Sequence, residues 1–557
     1  MSSTTHKMSD LNYKRITGDI ELTEQFSEEM SELCMSEDYS DVTFIVEGQR
    51  RPAHKVILAA RSEYFRAMLY GGLAEANQRE IHLSIPLKAS FEILYSGRIS
   101  LSQMSEENIL DTLGLVHQFG FTKLEEAISD YLRHVLSLDN VCAILDAARL
   151  YNLDSLTNVC HLFLDRNASE ILTHETFKNL SNDALEGILQ RDSFYVPEVK
   201  IFEAVCLWCK HNPNIDSVVA NVRLPLMTLD ELLSVVRQSS ILAPDKLLDA
   251  IEEKTKAKSL PFRGLLYPEE NVALEEFGAR TILGECPAAL LSGSSYYDMD
   301  NGYSRHPITD SNNPGIVVQL GNITIINHIK ILLWDQDIRS YSYFIEVSVD
   351  QVTWERVVDY RNYLCRSWQF LYFPQRAVQY IKLVGTHNTV NKVLHVVTLE
   401  AMFTAQVPKL KDDIIIPTYN VATVEMSATV LDGVSRTRNA LINGDFNNYD
   451  WDSGYTCHQL HSGVILLRLG QPYIIGSIRL LLWDCDERNY GYFIETSLDQ
   501  RTWNLVVDRR REPSRSWQNI SFQPRPMIFI RIVGTRNTAN EIFHCVHFEC
   551  PSQDLSV

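Results

Sequence analysis

Apolar side chains alternate along YSYFIEVSVD (341–350). Tyr343, Ile345, Val347 and Val349 fall on one face, with Ser342, Glu346, Ser348 and Asp350 among those on the other. A period of two predicts a half-buried strand. GIVVQL, HIKILLW and YIKLVGT have the same character and lie close by, between Gly, Asn, Pro and Asp turns. Many short strands with polar turns predict an antiparallel sandwich or barrel. From about Asp139 to Glu252 the period changes. Apolar residues recur at three- and four-residue spacing through NVCAILDAARLYNLDSLTNVCHLFLDRNASEIL, IFEAVCLWCKHN and LDELLSVVR, which predicts an all-helical segment. Residues 41–69 carry both periods. DVTFIVEG alternates as a strand, while RSEYFRAML places Tyr64, Phe65, Met68 and Leu69 at helical spacing, so an α+β domain is expected there.

The β-rich half is written twice. LLWDQDIRSYSYFIEVSVDQVTWERVVD begins at Leu332, and LLWDCDERNYGYFIETSLDQRTWNLVVD begins at Leu481. The copies stay in register to Glu400 and Glu549, with SWQ recurring at Ser367 and Ser516 and VGT at Val384 and Val533. Upstream, YDMDNGY (297–303) answers YDWDSGY (449–455). Two units of about 130 residues are a domain duplication, because a solenoid repeats every 20 to 50. Two β-sandwiches are expected, starting near Asn271 and Asn420.

A length of 557 residues suggests about four domains. A hydrophobic share of 45% and a charged share of 22% fit a globular chain with real cores. The net charge of −20 argues against a nucleic-acid surface, which needs clustered Lys and Arg, and against docking on anionic lipid. No apolar run reaches the 18 or so residues of a membrane-spanning helix. The polar start MSSTTHKMSDLNYKR has no signal-like segment, and the 11 cysteines are scattered and odd in number. Reduced thiols and a cytoplasmic location are the expectation.

Three groups invite a chemical reading. Cys206 and Cys209 form a CxxC without a second pair at zinc spacing, inside an amphipathic helix around Trp208, so helix core is expected. FHCVHFEC puts Cys545, His547 and Glu549 on one strand face, with His544 and Cys550 near. The duplicate has Val396, Thr398 and Glu400 at the matching positions, which argues against a metal there. Asp335/Asp337 and Asp484/Asp486 follow a Trp in both copies, and the turn in which Asp bonds its own backbone is preferred to calcium or acid–base work. No Walker loop, GxSxG or HExxH is present. Neither an enzyme nor a cofactor is expected.

INHIKILLWD and IGSIRLLLWD, then YFIEVSVDQVTW and YFIETSLDQRTW, then YIKLVGTHNT and FIRIVGTRNT, resemble the discoidin domain, the C-type module of coagulation factors V and VIII. That resemblance implies eight-stranded jelly rolls whose end loops bind lipid head groups, glycans or proteins. Secreted members tie their two ends with a disulfide. Cys550 has no partner near the start of unit two, and Cys286 faces Ala401-Met402-Phe403 at the end of unit one, so neither unit has that pair.

Asp41-Val42, Ala53-His54-Lys55, Leu58-Ala59-Ala60, Ser62, Tyr64 and Phe65 resemble a BTB (POZ) domain. The resemblance implies dimerisation, with Asp41 and Lys55 at or near the interface, and His54 is read as a satisfied core histidine in preference to a ligand. It also implies a cullin-docking region that includes Tyr64, Phe65, Met68, Phe91, Leu94 and Tyr95. The segment SFEILYSGRIS is about four residues shorter than the family pattern, which removes roughly 6 Å of helix beside that region. The helical order NVCAILDAARLY, LTNVCHLFLDRNASEIL, LQRDSF, VPEVKIFEAVCLWCKHN, VRLPLM resembles a BACK domain.

The expected architecture is therefore an α+β BTB domain (24–136), an all-α BACK domain (137–255) and two all-β discoidin-type jelly-roll sandwiches (270–403 and 419–551). A flexible start (1–23), joins at 256–269 and 404–418, and a tail (552–557) complete it. The order BTB, BACK, discoidin, discoidin resembles a family of adaptors, and that resemblance implies a non-catalytic adaptor for a ubiquitin ligase built on the third cullin. The partners would be a second copy of the chain, the cullin and a protein substrate, with no nucleic acid. Animal members are associated with sleep, locomotion and synaptic regulation. The rival expectation is a dimeric scaffold or trafficking protein whose discoidin loops bind lipid, glycan or protein. Candidate substrate contacts lie in SGSSYYDMDNGYSRH and NGDFNNYDWDSGYTCHQ: Tyr296, Tyr297, Tyr303, Arg305, Tyr449, Trp451, Tyr455 and His458. These aromatics suit a protein contact and equally the bracing of a sandwich rim.

Overall fold

The computed structural model describes residues 23–553, apart from 47, 73, 84–94, 96, 213–215, 258–259, 287–288, 294–295 and 310–314. The chain divides into two compact units, residues 1–164 with 173–184, and residues 165–172 with 185–557.

The first unit opens on a three-stranded sheet. β1 (Val42–Val46) pairs antiparallel with β2 (Gln49–Ala53) and parallel with β3 (Glu80–Leu83). The alternation of β1 buries Val42, Phe44 and Val46. Against the sheet lie helices Lys55–Arg61 and Glu63–Tyr70, and Phe44 meets Phe65 edge to face at 5.8 Å. Ser62 starts the second helix, its Oγ accepting from the Phe65 amide and satisfying one of the free N–H groups of the first turn. Helical spacing then buries Phe65 and Leu69, four apart, and leaves Tyr64 and Met68 on the adjoining row. Helices Glu106–Gln118, Thr122–His134 and Val141–Leu150 follow, with buried faces such as Ile109, Leu113 and Val116.

The second unit holds helices Glu198–Cys209 and Pro244–Lys256 and then both sandwiches. The first sandwich comprises β4 (Arg280–Leu283), β5 (Ser304–Pro307), β6 (Ile316–Leu333), β7 (Tyr341–Ser348), β8 (Glu355–Cys365), β9 (Trp368–Asn388) and β10 (Val393–Met402), in the order β5-β10-β6-β9-β7-β8, with β4 on β6. The two long strands each work as two segments. Residues 317–319 of β6 pair with β4, and 316–319 pair with 380–383 of β9. Beyond a break in register, residues 328–332 of β6 pair with 368–372 of β9. The strands thereby bend from one layer into the other and close on a core of Tyr341, Tyr343, Ile345, Val347, Ile329, Ile331, Leu333 and their neighbours.

The second sandwich repeats this plan with β11 (Leu410–Lys411), β12 (Ile414–Ile415), β13 (Thr429–Asp432), β14 (Val434–Ser435), β15 (Thr456–Gln459), β16 (Ile465–Leu482), β17 (Tyr490–Ser497), β18 (Asn504–Asp508), β19 (Trp517–Asn537) and β20 (Ile542–Glu549). Tyr490, Tyr492 and Ile494 take the core places of Tyr341, Tyr343 and Ile345.

The joins carry structure that their polar composition does not announce. In the first, Leu265 pairs with Thr324, and buried Arg263 bonds Glu198 at 2.9 Å while donating to the Arg191 carbonyl. In the second, β11 and β12 form a hairpin whose Ile415 pairs with Tyr473.

Candidate partner-binding surfaces

In the BTB-like sheet, the Asp41 carboxylate accepts the Lys55 amide at 2.7 Å, tying the start of the first strand to the start of its helix. The Lys55 ammonium donates to the Ala76 carbonyl at 2.9 Å. Beside them two apolar side chains stand in solvent, Tyr39 at 88% and Val56 at 67% exposure. His54 is buried and fully bonded, Nε2 donating to the Asp38 carbonyl at 2.8 Å and Nδ1 accepting the Tyr95 hydroxyl at 2.9 Å. It is a satisfied core histidine and not a ligand.

The residues of the expected cullin-docking region separate. Phe65 and Tyr95 are core side chains, and burial pushes the Tyr95 phenol up to about 12. Tyr64 and Met68 are open to solvent or half-buried, Tyr64 packing edge to face on Phe119 at 5.1 Å. Phe91 and Leu94, with most of the shortened segment, lie outside the described residues.

At the sandwich tips the duplication shows which side chains are scaffold. Asp298 Oδ1 accepts the amides of Asp300 and Asn301, and Asp450 Oδ1 accepts those of Asp452 and Ser453, which caps each turn. Gly302 and Gly454 close these turns at φ +83 and +82, and a Cβ on either would sit within 2.5 Å of backbone oxygen. Trp334 and Trp483 are buried beneath, donating Nε1–H to the Asp298 and Asp450 carbonyls at 2.9 and 2.7 Å. Tyr297 donates its hydroxyl to Asp335 at 2.5 Å and Tyr449 to Asp484 at 2.6 Å, and burial beside a carboxylate raises both phenols far above their usual range. Tyr303 and Tyr455 pack on the Trp334 and Trp483 clusters. These four tyrosines brace the rim.

What reaches solvent is a smaller set. Tyr296 is 79% exposed and Trp451 61%. Met299, the counterpart of Trp451 in the first copy, is equally open, and no aromatic pattern singled it out. Arg305 is exposed and paired with Glu285 at 2.7 Å. His458 lies in the core, its Nε2 accepting the Gly534 amide at 2.9 Å, and burial lowers its pKa.

The acid pairs are structural. Asp337 and Asp486 each accept the backbone amide and guanidinium of the Arg two residues on, Arg339 and Arg488. Those guanidiniums lie 4.2 Å over the rings of Trp334 and Trp483. The arginine partner and its stacking were not read from the Asp spacing.

The FHCVHFEC strand departs from strict alternation. Leu481 pairs with His547 and Leu482 with Cys545, so Val546 is a bulged residue, as Val397 is in the first copy. The bulge flips the parity. Cys545, Phe548 and Cys550 enter the core, while His547 turns to Trp517 and Phe446 and pairs with Glu549 at 3.3 Å. Cys545 and His547 therefore do not share a face, which corrects the simple period-two reading. Among the described residues no group of three or more His, Cys, Asp or Glu side chains is placed to hold a metal ion. Cys206 and Cys209 ride on the helix whose buried face holds Trp208, and burial raises the Cys206 thiol to about 11, away from thiolate chemistry.

Sequence reasoning missed the junction between the sandwiches. Arg468 is 2% exposed and donates to the Ile338 carbonyl and the Ser340 hydroxyl across it, its pKa lowered by burial to about 9. Its place in the first copy is taken by Gln319, so the duplication itself was the signal that could have marked the position.

Family models match residues 30–136 as a BTB/POZ domain, 141–237 as BACK (BTB And C-terminal Kelch) and 287–399 as an F5/8 type C domain. BTB/POZ domain-containing protein 9 of Drosophila melanogaster is 61% identical over 561 residues, covering 99% of this chain and 78% of the relative. The Homo sapiens protein of that name is 53% identical over 549 residues, covering 97% and 90%. Kelch-like protein 6 of Homo sapiens is 32% identical over 202 residues, 35% of this chain and 32% of the relative.

Proposed function

The chain belongs to the BTB/POZ domain-containing protein 9 family, and from that premise we propose that it is a non-catalytic, dimeric, cytoplasmic adaptor that joins a protein substrate to a ubiquitin ligase built on the third cullin. The first unit dimerises through the face around Asp41 and Lys55 and docks the cullin near Tyr64 and Met68. The sandwich tips capture the substrate.

One observation carries this reading: each unit presents exposed apolar side chains on a braced frame. Tyr39 and Val56 flank the Asp41–Lys55 contact in the first unit, and Tyr296, Met299 and Trp451 stand on the capped turns of the second. Large apolar groups held open by a bonded scaffold are what a protein partner buries. Four tips in a dimer would add avidity to weak individual contacts.

The test is co-elution of the full chain with the N-terminal part of the third cullin, with mass from light scattering. A two-to-two complex is expected, and Val56→Asp should give a one-to-one complex. A monomeric wild type would remove the dimer. A dimer that ignores the cullin would favour the scaffold reading, for which the shortened SFEILYSGRIS segment is the specific support.

A further inference from the structure

The two sandwiches are joined at a sheet edge. Within β9, β7 reaches only residues 380–388, so among the described residues the outer edge of Trp368–Tyr372 receives no strand from its own sandwich. The second sandwich covers it. The Gln471 carboxamide accepts the Phe370 amide at 2.6 Å and donates to the Phe370 carbonyl at 3.0 Å. The Gly470 carbonyl accepts from the Arg366 amide at 2.9 Å and from the Gln369 side chain at 2.8 Å, and Ser427 Oγ accepts the Trp368 amide. A Cβ on Gly470 would stand 3.0 Å from the Ser427 Cβ and 3.2 Å from the Met426 carbonyl oxygen of its own sandwich, and 3.3 Å from the Arg366 carbonyl oxygen across the seam.

The duplicate of this edge is Trp517–Ser521 in the second sandwich. Arg515, Ser516, Trp517 and Gln518 repeat Arg366, Ser367, Trp368 and Gln369 residue for residue. Register is preserved, Asn519 opposing Arg479 as Phe370 opposes Lys330. Gln518 keeps two of the bonds of Gln369, to the Arg515 and Trp517 carbonyls. Among the described residues no strand pairs with the outer side, because β17 meets only residues 529–537 of β19. Exposure follows. Gln369 is fully buried and Gln518 is not, and polar Asn519 stands in solvent where Phe370 packs on the second core.

We propose that the outer edge of Trp517–Ser521 is a protein-docking site separate from the tips, and that its occupant is a segment presenting glycine followed by glutamine on an extended backbone. The chain itself displays the mode of binding at the first copy. The glycine lets two backbones approach, and the carboxamide satisfies an outward N–H and C=O together, as strand addition does. Asn at position 519 in place of Phe leaves this edge to backbone and carboxamide recognition.

The experiment is site-resolved hydrogen exchange on the full chain, alone and with a peptide copy of Leu467–Tyr473 (LRLGQPY) at millimolar concentration. In the free chain the Asn519 amide should exchange about a hundredfold faster than the Phe370 amide. The peptide should slow exchange about tenfold at Trp517–Ser521 alone, and a peptide carrying Gln471→Leu should not. Asn519→Pro, which removes the outward N–H, should abolish the effect without moving the melting temperature. Asn519→Lys, which keeps the N–H and adds an edge charge, should weaken it. An Asn519 amide already as protected as that of Phe370 would overturn the proposal. So would equal effects of the two peptides, or no protection at Trp517–Ser521 at saturation.

Discussion

The side-chain amide of Gln471 holds both backbone groups of Phe370, across the seam between the two sandwiches. A single side chain does there what a paired strand does elsewhere. Gln471→Leu strands a buried N–H and C=O, which costs about 2 kcal/mol. In thermal unfolding the sandwiches should separate into two transitions where the wild type shows one, and calorimetry checks it.

A second seam depends on charge. Arg263 and Glu198 are buried with side-chain exposures of 2% and 3%, and Glu198 also accepts the Arg223 amide at 2.7 Å. Arg263→Met leaves a buried carboxylate without its cation and should cost about 3–5 kcal/mol. Adding Glu198→Gln should restore part of the loss. Denaturant midpoints of the single and double variants measure the coupling.

The two tryptophans of the second tip should behave oppositely. Trp483 is buried under the turn with Nε1–H on the Asp450 carbonyl, so Trp483→Ala should lower stability by about 3–5 kcal/mol. Trp451 packs on it at 4.8 Å but stands in solvent. Trp451→Ala should change stability by less than about 1 kcal/mol and, on the adaptor reading, weaken substrate capture about tenfold or more. Melting temperature and pull-down from the same preparations separate the two effects.

Acid should loosen the sandwiches over a definite range. Burial lowers His328, His395 and His544 from 6.5 to about 4. A histidine whose folded pKa lies below its unfolded value takes up its proton more readily in the unfolded chain. Stability is therefore fully present above pH ~6.5 and is lost as pH falls toward ~4. The shift corresponds to at most about 3 kcal/mol per residue. His328 donates Nδ1–H to the Leu371 carbonyl at 2.9 Å and stacks on Tyr372 at 4.0 Å. His328→Gln should flatten part of the slope of melting temperature between pH 6.5 and 4.

Much of the molecule was legible in its residues. Period two gave the strands and three- and four-residue spacing the helices, because each element must bury one face. The duplication announced two sandwiches, and the Asp41 to Phe65 motif announced the BTB-like sheet, whose Asp41–Lys55 contact and bonded His54 then appear. Other features depended on neighbours distant in sequence. The bulge at Val546 is set by pairing with β16 and moves Cys545 and His547 to opposite faces, which no alternation rule reports. Tyr95 and His458 look like surface aromatics in the chain and are core residues, because His54 and the Gly534 amide happen to meet them. Tyr297 and Tyr449 became braces only once Asp335 and Asp484 lay beneath them.

By itself the sequence determined which elements form, how often the sandwich is repeated and which family the chain belongs to. These follow from local spacing and from residue identity, both carried by the chain directly. Only the tertiary structure decided which polar and aromatic side chains remain open, and that Gln471 covers one copy of an edge whose twin, among the described residues, pairs with no strand. Exposure and hydrogen-bond satisfaction belong to pairs of residues far apart in the chain, from 35 positions for Tyr449 and Asp484 to 101 for Gln471 and Phe370, and their partners are fixed only when the sheets close.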